Sequence, residues 1–431
     1  MIRIAPFGRV LAVAAAASLA LTACGGGGEE SAAPASSAPA ASSAPAAAQG
    51  DGTLTIGTLL PQTGSLAFLG PPEFAGVKLA VKEINEAGGV LGKQVTEIDT
   101  DSGDTSTNIA SQSVDKLLQQ KADAIIGAAS SSVSLSVIDK ITGAGVVQFS
   151  PANTSDQFTA YNDHGLYFRT APPDVLQGRV LGDLILADGS DTVGILALQD
   201  AYGTGLADNV EKTVSSGGGE VVAKVIYDPK APDYSADVAK IKAANPKAIA
   251  LIGFDETKKI VPELVKQGLT ADKYKWYFVD GNLANYGTGK DGFPKGTLDG
   301  SKGTLPGAAA PDDFRKKMLE VDKSLQDFSY APESYDAANL IALAAQAAKS
   351  DAPADIAAKL SEVSQGGEKC NDFKSCNDLL TAGKDIDYDG VSGPVEFNEA
   401  GDPAEATIGV YQYGADNKYK NIGYNTGKIA G

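Results

Sequence analysis

Hydroxyl and amide side chains cluster twice in this chain, at Ser130-Ser131-Ser132 and at Ser150-Pro151-Ala152-Asn153-Thr154. Each cluster follows a short apolar run, 124–126 and 146–149, of the kind that forms a buried parallel strand. Turns at the carboxyl ends of neighbouring parallel strands are where open α/β sheets take small ligands. A helix read from the serines to about 142 would offer free N–H groups and a positive dipole end, both suited to a carboxylate. The same serines serve equally as plain helix N-caps. A second constellation is aromatic and acidic. Phe68, Tyr202, Phe254 and Tyr286 stand near strand ends, and Asp280 directly follows a strand read over 274–279. Singly such aromatics are packing residues. Together with Asp280 they could line a cleft between lobes.

Other chemistries find little support. The chain has one histidine, His164, and two methionines, too few for a transition-metal site or a histidine-based catalyst. No GxSxG, HExxH or GxxxxGK[ST] pattern occurs, so no catalytic residue is assigned. Asp385-x-Asp387-x-Asp389-Gly390-x5-Glu396 satisfies the EF-hand loop letter for letter. Its context argues against calcium: Ser392 replaces an apolar residue, Pro394 interrupts the loop, and no helix pattern follows. Gly287-x-Gly289-x-x-Gly292 matches a dinucleotide fingerprint, but Pro294 stands where the helix should open, and a flexible loop is the better reading. No cofactor and no metal are expected.

Strands and helices alternate through most of the chain. Strands are read at 54–60, 93–99, 124–126, 146–149, 192–198, 221–227, 248–253 and 274–279. Helices are read at 73–86, 109–119, 175–187, 207–215, 234–244 and 261–267. That alternation means parallel sheets in a doubly wound α/β fold. Two runs of such units, each about one sheet in size, suggest two similar lobes. Segments 168–173 and 305–311 look like crossings between them. Helices then dominate, at 313–324, 333–349 and 354–363, before a polar loop holding Cys370 and Cys376 and late strands at 395–398 and 407–413.

The 431 residues are 43% hydrophobic, enough for two domains with real cores. The net charge of −18 disfavours nucleic acid and anionic membrane surfaces. Residues 1–23 read as a signal peptide, with Arg3 and Arg9 ahead of an apolar run too short for a permanent span. Leu21-Thr22-Ala23-Cys24 resembles the lipobox of bacterial lipoprotein precursors, which implies cleavage before Cys24 and lipidation of its thiol. Residues 24–51, rich in Gly, Ala, Ser and Pro, cannot bury a core and read as a disordered tether. With Cys24 committed to lipid, Cys370 and Cys376 are the pair left outside the cytoplasm. A local disulfide is the expectation, a redox or metal pair the alternative.

Five segments carry a resemblance: IGTLLPQTGSLAFLG, EFAGVKLAVKEINEAGGVLGK, GAASSSVSLSVIDKITGAGVVQFSPANT, QDAYGTGL and SGPVEFNEAGD. From about residue 52 to the end, the chain resembles the type I periplasmic binding proteins of ABC transporters, in the branched-chain amino-acid-binding family. The resemblance implies two Rossmann-like lobes joined by a three-segment hinge, lobe I from 52–171 with 306–396 and lobe II from 172–305 with 397–431. It implies capture of an amino acid or related amide by hinge closure, delivery to a permease with cytoplasmic ATPase subunits, and a monomer held by lipid at the extracytoplasmic face. Ser131 and Thr154 then match hydroxyls that bind the ligand α-carboxylate. Ala152 matches a carbonyl that accepts from the α-ammonium, and Tyr202 an aromatic that closes over the ligand. Asp280 stands near the acidic partner of the ammonium. Asn153, Phe254 and Phe68 complete the expected set, with Leu69, which replaces a tyrosine of the leucine-type proteins. The first-lobe disulfide of those proteins is absent, since Ser130 stands at one of its cysteines. A ligand sensor docking on a signalling receptor is the alternative. A secreted hydrolase using Asp280 with another carboxylate is a third reading.

Overall fold

The computed structural model describes residues 48–290 and 292–429. The leader, Cys24 and most of the tether lie outside these residues. No helix among the described residues is long and apolar enough to cross a membrane.

Two open sheets repeat one topology. The first contains β1 (Thr55–Leu60), β2 (Thr96–Asp101), β3 (Ala124–Gly127), β4 (Val147–Ser150) and β5 (Tyr167–Arg169), ordered β2-β1-β3-β4-β5 and wholly parallel. Helices α1 (Gly70–Glu86), α2 (Ile109–Gln119) and α3 (Ser131–Gly143) connect its strands. The central strands β3 and β4 are buried on two faces and read as unbroken buried runs, whereas edge strand β2 is largely part-exposed. One face packs Leu59, Val114, Leu117, Ile125 and Val137.

After β5 the chain enters α4 (Asp174–Ala187) and builds the second sheet. Its strands are β6 (Thr192–Leu198), β7 (Glu220–Tyr227), β8 (Ala248–Ile252), β9 (Lys275–Phe278) and β10 (Lys302–Pro306), with α5 (Ala201–Ser216), α6 (Ser235–Ala244) and α7 (Thr257–Lys266) between them. The parallel part runs β7-β6-β8-β9-β10, the order of the first sheet repeated. The chain then returns to the first sheet with α8 (Asp312–Val321), α9 (Ala331–Ala348) and α10 (Pro353–Val363), followed by β11 (Glu368–Cys370), α11 (Phe373–Thr381) and β12 (Ile386–Tyr388). Alanine-rich α9 covers the sheet's other face, where Ala338, Ile341 and Ala345 share a core with Ile56, Ile126 and Phe149. A third passage leads to β13 (Glu405–Tyr413) and β14 (Tyr419–Lys428), antiparallel additions to the edge of the second sheet. The fold is thus a two-lobed, doubly wound α/β structure.

Several expectations change. Cys370 and Cys376 do form a disulfide, with Cα atoms 5.3 Å apart, but they lie on β11 and α11 and not in a polar loop. Residues 395–398 form no strand. Only an isolated bridge links Phe397 to Pro403, because Pro394 and Pro403 remove ladder donors on either side. The EF-hand-like stretch begins with a strand: Asp387 lies in β12 and pairs with Lys369 at 3.1 Å. The turn after it is organised by the Asp336 carboxylate, which accepts from Val391 N at 3.0 Å, Ser392 N at 2.7 Å and Tyr388 Oη at 2.7 Å. Helix α5 begins six residues before the expected 207, capped by Asp200, whose side chain accepts from Gly203 N at 2.7 Å. Its early glycines hid that first turn.

Candidate functional site

Both sheets reverse their strand order between the first and third strands, and the crevice outside the carboxyl ends is where such sheets bind ligands. In this structure those ends face each other. A small cavity of about 10 Å³ lies between them, lined by Leu66 and Leu69 after β1, Ala129, Ser130 and Ser131 after β3, and Ala152 and Thr154 after β4. The second sheet contributes Tyr202 after β6, Phe254 after β8, and Asp280 and Gly281 after β9, and Tyr330 completes the wall just ahead of α9. Six strand-end loops from two lobes converge on one space.

The first wall is built by backbone and hydroxyl groups. At Gly127 the chain turns with φ +126°, and a Cβ there would sit 2.0 Å from the Leu59 carbonyl oxygen, so only glycine fits. Ser130 caps α3 by accepting from Val133 N at 3.4 Å. The Ser131 hydroxyl oxygen accepts from Ser155 N at 3.2 Å, which leaves its proton to donate elsewhere. Ser150 and Asn153 fasten the two turns together. Ser150 donates to the Ala128 carbonyl at 2.8 Å, and the Asn153 amide donates to the carbonyls of Ala128 and Ala129, both at 2.9 Å. Asn153 also accepts from Tyr167 Oη at 3.0 Å. These bonds occupy the Asn153 side chain behind the wall, and it does not line the cavity. Phe68 is half-buried against the core next to Leu69 and does not reach the cavity either. Tyr286 packs on Phe293, ring centroids 4.7 Å apart, away from the cavity.

The second wall is aromatic and acidic. Tyr202 and Phe254 stack with ring centroids 5.5 Å apart and planes 8° from parallel. The Tyr202 hydroxyl donates to Asp280 Oδ1 at 2.7 Å and accepts from Gly281 N at 3.3 Å. Tyr330 donates to Asp280 Oδ2 at 2.8 Å, and the Gln177 amide to Oδ1 at 2.9 Å. Burial raises the pKa of Asp280, against the pull of the Tyr202, Tyr330 and Gln177 hydrogen bonds. One wall thus donates hydroxyl protons while the other carries a buried acid, the polarity a zwitterion needs.

Contacts between the lobes shut the cleft around this space. Ser132 Oγ accepts from Ala201 N at 3.0 Å and donates to Asp200 Oδ2 at 3.3 Å. Ser155 donates to the Ala201 carbonyl at 3.1 Å, and Asn209 to Asp156 Oδ2 at 2.6 Å. Leu66, Leu69, Ala129 and Ala152 share one buried apolar cluster with Tyr202 and Phe254. Ser132, an expected cap, is therefore a latch. Burial lifts the Asp200 carboxyl to a pKa of about 6.

Sequence reasoning missed Tyr330, Gln177, Leu66 and Gly281. No pattern marks Tyr330: it holds a left-handed conformation, φ 58°, before the proline of α9 and meets Asp280 only through the fold. Gln177 falls on the inward face of α4, a face the periodicity shows without naming its partner.

Comparison with known proteins agrees with this fold. Leu/Ile/Val-binding protein homolog 1 of Brucella abortus is 28% identical over 379 residues, 85% of this chain and 92% of that protein. The leucine-, isoleucine-, valine-, threonine- and alanine-binding protein of Pseudomonas aeruginosa is 26% identical over 84% of this chain and 91% of its own length. Among solved structures, the leucine-binding protein LivK of Thermotoga maritima superposes with a TM-score of 0.71 at 21% identity, covering 86% of this chain and 98% of that one. A Rhodopseudomonas palustris solute-binding protein in complex with benzoate gives 0.69 at 20%, covering 88% and 98%. Residues 53–418 match the periplasmic binding protein family, and the chain belongs to that family of solute-binding proteins.

Proposed function

We propose that this protein captures a small amino acid, branched-chain or a related amide, in the cavity between its lobes and delivers it to an ABC importer. One observation carries the reading. Hydroxyls and a helix N-terminus on the first wall face a buried carboxylate and stacked aromatics on the second. A zwitterion satisfies both walls, whereas a simple aromatic acid, the ligand named for some similar structures, leaves Asp280 without a cation. Ser131 and Thr154 take the α-carboxylate, the Ala152 carbonyl faces the ammonium, and Tyr202, Phe254 and Leu69 bound the side chain. Charge-assisted bonds in a shut cleft are about twice as strong as neutral ones.

Closure would swing lobe I, residues 52–171 with 306–396, against lobe II, residues 172–305 with 397–431, about the three crossings. Lipid on Cys24 would tether the protein at the extracytoplasmic face beside its permease. A sensor role is the second reading. It is favoured by the 26% identity to the chemotactic substrate-binding protein BasB of Halobacterium salinarum. A thermal-shift screen and calorimetric titration with the twenty amino acids, short amides, urea and benzoates test the ligand class. An amino acid that raises the melting temperature and binds with one-to-one stoichiometry is the expected result. Binding of benzoates alone would overturn it.

A further inference from the structure

Glu333 stands where the three passages between the lobes come together. It is buried in the first turn of α9. The Thr170 hydroxyl of the first passage donates to its main-chain carbonyl at 3.1 Å. Gly307 of the second passage lies against its carboxyl: φ there is +87°, and a Cβ would run into Oε1. The Gly307 N–H donates to the Thr407 carbonyl of β13 at 2.7 Å, which ties the second passage to the strand that follows the third. Two cavities along the seam between the lobes share Glu333 in their walls. The larger, about 270 Å³, sets Phe328 and Tyr330 against Leu305 and Tyr411. The smaller, about 50 Å³, sets Gly307 and Val395 against Pro403 and Thr407.

The neighbouring cations are occupied elsewhere. Arg315, the basic side chain in the wall of the larger cavity, stacks on Phe328, 5.0 Å from the ring centroid, and pairs with Asp312 at 3.7 Å. Arg169 of the first passage is held by Asp402 and by the carbonyls of Asn153 and Ser155. The groups that face Glu333 are acids and phenols. Glu73 comes from α1, Asp336 from the next turn of α9, Tyr330 from the residue before α9 and Tyr411 from β13, while Asp327 and Glu405 line the larger and smaller cavities. Glu73 is fully buried, and neither of its carboxyl oxygens has a hydrogen-bond partner. Beside it α1 and α9 meet backbone to backbone, since a Cβ on Gly76 would sit 2.5 Å from the Ala331 carbonyl oxygen. Two buried acids without a cation do not both ionise near neutral pH. Burial, and then Glu333, holds the Glu73 carboxyl well up. Burial, with Asp336 adding and its own N–H subtracting, lifts Glu333 to about 8. Glu73 therefore keeps its proton, and Glu333 is the acid that exchanges one.

We propose that Glu333 is a proton lock on the hinge: the lobes shut with its carboxyl neutral, and ionisation parts them. This rests on the closure reading above and not on the identity of the ligand. The shut cleft has a cavity of about 10 Å³, room for about one water, so a ligand enters only a parted form. Parting the lobes opens the seam on which both cavities lie and lets water reach Glu333, and a hydrated glutamate ionises near about 4.3. A group raised in the shut form favours that form fully below its hydrated value, and the bias is lost as pH rises through the raised one. The shut form is therefore favoured most in acid, and the Glu333 contribution is gone once pH passes about 8. Asp200, on the same seam, acts in the same direction but lower, at about 6.

Small-angle scattering of the ligand-free protein from about pH 5 to about pH 9 reads the hinge directly. The wild-type chain is expected to expand as pH rises. Glu333→Gln, which mimics the neutral acid, is expected to lose the part of that expansion above about pH 7 and to keep the part due to Asp200. Glu73→Gln is expected to leave the curve in place, since that acid keeps its proton. Leucine, titrated by calorimetry, gives a second reading. Its affinity should fall roughly three- to tenfold between about pH 7 and pH 8 in the wild-type chain and change little in Glu333→Gln. Constant wild-type dimensions above about pH 7, an unchanged curve in Glu333→Gln, or loss of the transition in Glu73→Gln would overturn the lock. So would an expansion that follows sodium or potassium concentration at fixed pH, which would put a metal cation between the acids. Should Glu333→Gln not fold, the wild-type scattering curve overturns the lock just as well if it is flat. If leucine does not bind, the amino-acid reading is the one weakened while the scattering result stands, so the two failures are distinct.

Discussion

Replacing Asp402 should loosen the hinge and the ligand turn together. Arg169 ends β5 at the first crossing, and Asp402 lies in the third. Their ion pair, Nε to Oδ1 at 2.6 Å, has both side chains fully buried. The guanidinium also donates to the carbonyls of Asn153 at 3.2 Å and Ser155 at 2.8 Å, which frame Thr154, and to Thr159 Oγ1 at 3.1 Å. Thr159 in turn donates to Asp402 Oδ2 at 2.7 Å. Asp402→Ala leaves a charged guanidinium in the interior, where breaking one side of a buried pair costs about 3–5 kcal/mol. Asp402→Asn keeps an acceptor and should cost less, about 1–3 kcal/mol. Replacing both partners with apolar residues of similar volume, Arg169→Met with Asp402→Leu, should recover much of the loss, because the stranded charge is gone. Urea unfolding of the wild type, Arg169→Met, Asp402→Leu and the double variant gives the coupling energy by a double-mutant cycle. A loss below about 1 kcal/mol for Asp402→Ala, or a double variant no better than the single, would refute the view that this pair holds two crossings at the turn.

Three further outcomes follow from the same structure. Reducing or replacing the Cys370–Cys376 disulfide closes no long loop, so the chain-entropy cost should be only about 2 kcal/mol; unfolding midpoints with and without reductant check it, and ligand affinity should not change. Asp200, Asp123 and Glu333 are carboxyls lifted by burial to about 6, 7 and 8. A raised folded pKa gives stability that is fully present below the unfolded value, near 4, and is lost as pH rises through the folded one. The melting temperature should therefore decline between about pH 5 and 8, and a steady rise over that window would contradict their burial. Ser132→Ala removes two contacts between the lobes and should lower affinity about three- to tenfold, measured by calorimetry, through a less populated shut state and not through ligand contact.

How much of this was legible beforehand divides along physical lines. Parallel strands buried on both faces leave unbroken apolar runs, and β3, β4, β6 and β8 fell within a residue or so of expectation. Helix starts were harder. Pro71-Pro72 at the first turn of α1 and the glycines opening α5 are poor helix formers that a cap or a fixed φ makes acceptable. Edge strand β14 was invisible because it is polar and largely exposed, with Asn, Lys and Gly supplying no alternation. In the site, residues at strand ends were readable because the fold class says where ligands go. Gln177 and Tyr330 were not, because what matters about them is a partner far along the chain, Asp280.

The shut cleft is held by two kinds of contact, and they set how tightly a ligand can bind. Ser132 with Asp200 and Ala201, Ser155 with Ala201, and Asp156 with Asn209 join the lobes without passing through the cavity. They bias the chain toward closure before any ligand arrives, which raises apparent affinity by raising the fraction of competent protein. The buried acid acts in the other direction. Asp280 loses solvation on closing, its hydrogen bonds offset part of that cost, and a cation between the lobes would offset more. A ligand without an ammonium therefore pulls the lobes together against that cost, while a zwitterion relieves it. On the proposed amino-acid reading, selectivity for charge would arise from closure itself, leaving the side-chain pocket around Leu69, Tyr202 and Phe254 to choose among amino acids.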